Sequence, residues 1–267
     1  MTHNTVSHHP FIIATVSGKG GVGKSMASVN IAGTLIDMGY TVALLDADIG
    51  MSNCATLLNE PTDATVMHWV QGKCGLEDLP HVCDGLTLVT GSDEPGVHDQ
   101  DPELLMEAID QVLLAMAEDH DIIIIDTPAG SGELSLWALD RAQLGMVLLV
   151  DEPTAISDVY RFCKYILNID PTYPFASVVN FAGDENAANS IHQRFNTILH
   201  YFMQQEVAYL GFIPDSDLIR QSVQKQTPVT RLHPDSPEKR EFEFIAHNII
   251  SAMPEKQRPR QRTMSHD

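Results

Sequence analysis

Nine consecutive residues, Ser17-Gly18-Lys19-Gly20-Gly21-Val22-Gly23-Lys24-Ser25, carry the types and spacing that phosphate binding requires. Phosphate oxygens need many N–H donors converging on a small volume. Glycines let the backbone approach without a Cβ in the way, and a helix starting at the end of the run turns its positive pole toward the anion. Lys24 is then placed to neutralise the β and γ oxygens of a nucleoside triphosphate, and the Ser25 hydroxyl to bind Mg²⁺. Two acidic segments follow apolar runs. One is Asp46-Ala47-Asp48-Ile49-Gly50; the other is Asp126-Thr127-Pro128-Ala129-Gly130, whose carboxylate can hold Mg²⁺ through water. A single Asp after a strand is more often a helix cap or turn former, but two in register with a phosphate loop point to one site.

These residues meet only if the elements before them run side by side. Seven short apolar stretches can do that: Phe11 to Val16, Thr41 to Leu45, Leu86 to Thr90, Ile122 to Ile125, Met146 to Val150, Phe175 to Val179 and Val207 to Phe212. Their near-continuous apolar character suits strands buried on both faces, as in a parallel sheet with crossover helices. Helical patterns fall between them. Lys24 to Met38 ends at Gly39, a left-handed cap, and Glu103 to Ala117 carries Leu104, Leu105, Ala108, Leu113 and Leu114. The rhythm predicts an α/β fold of the P-loop NTPase kind, with a mostly parallel seven-stranded, or eight-stranded, sheet and helices on both faces. Residues 11–252 form the expected domain, residues 1–10 a flexible N-terminal segment, and residues 253–267 a disordered basic tail with Lys256, Arg258, Arg260 and Arg262.

Composition narrows the function. The 267 residues hold 36 acidic against 16 Lys plus Arg, a formal charge of −20, which argues against default nucleic-acid binding. No apolar run approaches the roughly 20 residues that span a bilayer. The polar start, Met1 to Pro10, lacks a secretion signal, so a cytoplasmic protein is expected. Four cysteines, Cys54, Cys74, Cys83 and Cys163, show no CxxC pair and read as buried thiols; the 12 His form no HxxxH or HExxH pattern, so none is assigned to a metal. From Glu77 through Asp140 there is no Lys or Arg, which reads as a solvated acidic face or as a docking surface for a basic partner.

Lys19 is not needed by the phosphate cradle of one subunit. With it, the GKGGVGKS loop resembles the deviant Walker A of the MinD/ParA class of ATPases, where this lysine reaches across a dimer to the partner's phosphates. The resemblance implies ATP and Mg²⁺ as cofactors, an ATP-dependent homodimer, and slow, dimerisation-dependent hydrolysis to ADP and phosphate. Lys19, Lys24 and Asp48 are then catalytic, Asp48 as the second acid of a DxD switch that positions the attacking water. Nucleotide contacts fall on Gly18, Lys19, Gly20, Gly21, Val22, Gly23, Lys24, Ser25 and Met26, with Mg²⁺ on Ser25 and, through water, on Asp46 and Asp126. Asn180, Pro214 and Asp215 follow the last two strands, where MinD-like proteins contact adenine; no NKxD guanine signature is present.

Four segments are similar to the flagellar-number regulators of the FlhG/FleN branch: residues 44–50, VDEPTAISDVY at 150–160, YLGFIPD at 209–215, and VQKQ at 223–226. In that resemblance Glu152 lies at the dimer face near the partner's ribose and Asp158 faces protein partners. The implied job is regulation of flagellar number or placement. The implied partners are a transcription activator, a signal-recognition-type flagellar GTPase or a basal-body component, with recruitment to the cell pole or membrane through them. The alternative is a MinD/ParA-like positioning ATPase for another cargo, such as chromosome, chemoreceptor or division site. An iron–sulfur carrier on the same scaffold would need a paired-Cys bridge. The chain departs from the branch in three places. Residues 1–10 contain no DQAxxLR-like helix, the acid usual near Ala55 is missing, and no C-terminal membrane-targeting helix is recognisable. The helix Glu238 to Met253, with Phe242, Ile245, Ile249 and Met253 on one side and Glu238, Glu241 and Glu243 besides, is expected to pack on the core.

Overall fold

Residues 9–48, 52–92 and 102–257 are described by the computed structural model. In chain order the elements are β1 (Phe11–Val16), α1 (Lys24–Asp37), β2 (Val42–Asp46), α2 (Cys54–Leu58), α3 (Val66–Val70), β3 (His81–Cys83), β4 (Leu86–Thr90), α4 (Pro102–Ala117), β5 (Ile122–Asp126), α5 (Glu133–Arg141), β6 (Leu144–Leu149), α6 (Pro153–Ile169), β7 (Phe175–Ala182), α7 (Glu185–Met203), β8 (Ala208–Pro214), α8 (Asp217–Gln224), α9 (Val229–Leu232) and α10 (Pro237–Ala252). Single 3-10 turns occupy Leu76–Asp78 and Glu255–Gln257.

Among the described residues the strands form one eight-stranded sheet in the order β3-β4-β2-β5-β1-β6-β7-β8. Every pairing is parallel except β3 with β4. The apolar runs are continuous because both faces are covered. On β5, Ile123 and Ile125 join a core with α4 to α7, whereas Ile122 and Ile124 join a second core with α1 and α10. The seven apolar stretches all become strands. The eighth, β3, has only three residues, His81, Val82 and Cys83, with Val82 exposed, so it has no apolar run to signal it.

The predicted cap of α1 forms. Gly39 takes φ +91°, its N–H reaches Ile36 O at 2.8 Å, and Tyr40 N–H reaches Leu35 O at 3.2 Å, the paired bonds of a Schellman motif. α10 buries Phe242, Ile245 and Ile249 completely, which bears out its packing role. Met253 is also buried, and the Gln257 amide donates to the carbonyls of His9 and Pro10 at 3.4 and 3.5 Å. Cys54, Cys83 and Cys163 are buried thiols, while Cys74 is half-buried. Residues 1–8 and 258–267, Ile49, Gly50, Met51 and the acids Asp93, Glu94, Asp99 and Asp101 lie outside the described residues.

Candidate functional site

Parallel strands carry their following loops to one edge of the sheet, and open α/β sheets bind ligands there. The order β2-β5-β1 puts Asp46, Asp126 and the loop after β1 side by side, with Asp46 opposite Asp126 and Thr15 opposite Asp126 in the register. The loop wraps the start of α1, whose first turn carries no acid. Gly21 and Gly23 take φ of +76° and +89°. A Cβ at Gly23 would stand 2.3 Å from the Asn180 amide nitrogen, and one at Gly18 would stand 2.5 Å from Asp158 Cβ. These two glycines therefore press the loop against β7 and against α6.

Lys24 is buried, and its ammonium donates to Ser17 Oγ at 3.0 Å. Burial holds its pKa below the usual lysine value, against the pull of Asp126, Asp48 and Asp46. Beneath it, Ser25 Oγ donates to Asp126 Oδ2 at 2.5 Å and Ser28 Oγ to Asp126 Oδ1 at 3.0 Å. Burial, reinforced by the neighbouring Asp46, pushes the Asp126 carboxyl up to about 7. Asp46 is also raised by burial, although it accepts N–H bonds from Asp48 at 3.2 Å and from Asn53 and Cys54 at 2.9 Å. The Cys54 thiol donates to Asp126 Oδ2 at 3.6 Å, completing a buried cluster of Asp46, Cys54 and Asp126.

Two buried carboxylates that resist ionisation beside each other are short of positive charge. The oxygens present, Ser25 Oγ and the two buried carboxylates, are hard ligands of the kind Mg²⁺ accepts, so the residues fit that ion; the Cys54 sulfur does not contribute to such a set. Above the cluster opens a cleft of about 880 Å³, walled by Gly20, Gly21, Gly23, Lys24, Ser25, Met26 and Asp48 at one end. Phe181, Ile219, Arg220, Val223, Gln224 and Gln226 wall the other.

The remaining predicted residues stand around this cleft rather than on its wall. Val22 is buried in the core below the loop. Lys19 lies half-exposed, its Nζ donating to Glu152 Oε2 at 2.6 Å at the start of α6. Asn180 is fully buried; its Nδ2 donates to Val22 O at 2.7 Å and its Oδ1 accepts the Phe181 N–H at 2.9 Å. Asp215 donates its N–H to Ala182 O at 2.9 Å and its carboxylate accepts from the Arg220 guanidinium; Arg220 rather than Pro214 or Asp215 faces the cleft. Four contributors escaped the sequence reading. Ser28 could have been found, one turn beyond Ser25 on the same helix face. Phe181 adjoins Asn180 and takes φ +58°. Cys54 and Arg220 arrive from distant segments and leave no motif.

Comparison with known proteins agrees with this fold. The chain is 30% identical over 249 residues to the antiactivator FleN of Pseudomonas aeruginosa, covering 92% of this chain and 88% of that protein. It is 28% identical to the flagellum site-determining protein YlxH of Helicobacter pylori, covering 90% and 82%. Among solved structures it superimposes on the septum site-determining protein MinD of Pyrococcus horikoshii, complexed with Mg-ADP, with a TM-score of 0.71 at 22% identity, covering 90% and 96%. The ParA family model, described as NUBPL iron-transfer P-loop NTPase, matches residues 9–250. The chain belongs to the ParA/MinD family of P-loop NTPases.

Proposed function

We propose that this protein is an ATP-hydrolysing switch, dimeric when loaded with ATP, that regulates flagellar number or placement. The observation that carries the switch is the division of labour between the two loop lysines. Lys24 is buried over the carboxylate pair, whereas Lys19 is held at the surface by Glu152, outside the cleft wall. A lysine in that position is available to a second subunit. There it would add positive charge as the transition state accumulates negative charge, and Glu152 would be released toward the partner's ribose.

The other roles follow the chemistry of each group. Backbone N–H groups from Gly18 to Met26 and the Lys24 ammonium hold the phosphates. Bound Mg²⁺, on Ser25 and through water on Asp46 and Asp126, would neutralise phosphate charge. Asp48, on the cleft wall, orients the attacking water. By the resemblance, adenine would be met beside Asn180, Pro214 and Asp215, which requires the Asn180 amide, buried on Val22 O, to open toward the cleft when nucleotide binds.

The flagellar assignment is supported by the similarity to FleN and YlxH across most of both chains. Its partners would be a transcription activator, a flagellar GTPase of the signal-recognition type or a basal-body component. The protein would work in the cytoplasm and reach the pole or membrane through them. Among the described residues no helix is long and apolar enough to cross a membrane. Positioning of another cargo on a DNA matrix is opposed by the charge of −20.

Light scattering with ATP and Mg²⁺ tests the switch. The wild type shifts toward dimer, and Asp48→Ala accumulates as dimer with hydrolysis lost. Monomer alone for both would refute it. Counting flagella in a deletion strain tests the assignment separately, since unchanged number and position would leave an ATPase without a flagellar role.

A further inference from the structure

One side chain at the nucleotide site has no part in holding phosphate or Mg²⁺. Cys54 opens α2, completely buried, and its thiol donates to Asp126 Oδ2 at 3.6 Å. Asp46, from the neighbouring strand β2, accepts the Cys54 N–H at 2.9 Å. One ligand atom from each of Asp46, Cys54 and Asp126 lies within 4.8 Å of the other two, and no other such trio of His, Cys, Asp or Glu occurs among the described residues.

Donor type and spacing decide which ion this trio suits. Mg²⁺ is held by oxygens in octahedral geometry and gains nothing from sulfur. Zn²⁺ takes four ligands from thiolate, imidazole and carboxylate. With bonds of about 2.3 Å to sulfur and about 2.0 Å to oxygen, two of its tetrahedral ligands stand about 3.5 Å apart. Cys54 Sγ and Asp126 Oδ2 already keep that spacing, at 3.6 Å, around a proton. The fourth place is left to water or to the Ser25 hydroxyl, which is bonded to the same Asp126 oxygen. Charge balances too: a thiolate and two carboxylates meet the two charges of the ion and the one on Lys24, which both acids attract. Without a cation, burial beside the two acids keeps the thiol protonated.

We propose that Asp46, Cys54 and Asp126 form a site for a thiophilic divalent cation, Zn²⁺ foremost, which binds there in place of Mg²⁺. Binding forms a Zn–S bond and breaks the Cys54 S–H bond, and the proton leaves to solvent; nothing is oxidised or reduced. Zn²⁺ then occupies the carboxylates that Mg²⁺ depends on, so rising Zn²⁺ would silence the nucleotide site. Capture of the ion needs only these three side chains, whereas the exclusion of Mg²⁺ rests on the ATPase reading.

Cd²⁺ titration of the nucleotide-free full chain, with a phosphine reductant and ultraviolet difference absorbance, is the test, because the Cd–thiolate band reports cysteine ligation alone. A saturable band is expected, erased by added Zn²⁺ and absent in Cys54→Ser. Cys74→Ser, which removes the half-buried thiol near Glu77 and Asp78, should leave it in place. Circular dichroism checks that both variants are folded. X-ray absorption of the Zn²⁺-loaded wild type needs no variant and should show one sulfur among oxygen ligands. Mg·ADP at about ten times its dissociation constant should raise the Cd²⁺ midpoint about tenfold. A missing band, a band kept in Cys54→Ser, or a zinc shell without sulfur would overturn the proposal. So would an unmoved midpoint where calorimetry shows Mg·ADP bound to the metal-free protein. Failure of Mg·ADP to bind at all would instead count against the ATPase reading, with the thiolate band still deciding the site.

Discussion

Replacing Asp126 by Asn should stabilise the ligand-free protein more at pH 8 than at pH 5. The native carboxyl has a pKa near 7 because it is buried beside Asp46, against an ordinary value of 3.8 in an unfolded chain. Between those values the native state binds the proton more tightly than the unfolded state, so the group subtracts stability as pH rises. The penalty is absent below about pH 4, grows through the window and is complete above about pH 7. At about 1.4 kcal/mol per pKa unit it reaches roughly 4 kcal/mol, of which somewhat under half is already present at pH 5. Asn removes the charge at every pH. The hydrogen bonds from Ser25 and Ser28 strengthen on ionisation, and that part is already contained in the native pKa, so only the pH-independent remainder of their loss is left and it cancels in the comparison. The variant's advantage over wild type should therefore widen by about 2 kcal/mol between pH 5 and pH 8, or about 5 °C in melting temperature for a chain of this size. Urea unfolding with EDTA and no nucleotide, followed by circular dichroism, measures it. An advantage that is constant or shrinks with pH would show that Asp126 ionises freely in the fold and that the carboxylate pair lacks the charge shortage that suits Mg²⁺.

Lys19→Ala should lower turnover at least roughly tenfold, within the range an inserted cation contributes, with ATP affinity little changed in a binding titration. Unchanged turnover would remove the lysine's role in trans. Gly18→Ala should weaken nucleotide binding and lower the melting temperature together, because its Cβ would stand 2.5 Å from Asp158 Cβ and 2.7 Å from the Val159 backbone nitrogen, forcing the loop away from α6. Phe181→Ala should raise the ATP dissociation constant about tenfold, since it removes the aromatic face of the cleft on which a base can stack; isothermal titration reads this directly.

Much of the architecture was legible because its signals are local. The glycine run between an apolar strand and a helical pattern marks the phosphate loop, and Asp46 and Asp126 end apolar strands in a way that anticipates their register. Each strand core is doubly buried, so its apolar run is unbroken and easy to read. β3 fails that condition: three residues long, with Val82 at the surface, it carries no periodicity, and its antiparallel pairing follows only from the chain turning back to meet β4.

Local sequence determined the elements, the loop and the residue types at the strand ends, because propensity, glycine geometry and hydrophobic pattern act within a few residues. Tertiary packing alone decided which distant groups share a space. It brought Cys54 under Asp126, set Arg220 rather than Asp215 against the cleft, and tied Asn180 to the Val22 carbonyl. It also raised Asp126 to about 7, because desolvation and the Asp46 field exist only once the two strands lie side by side.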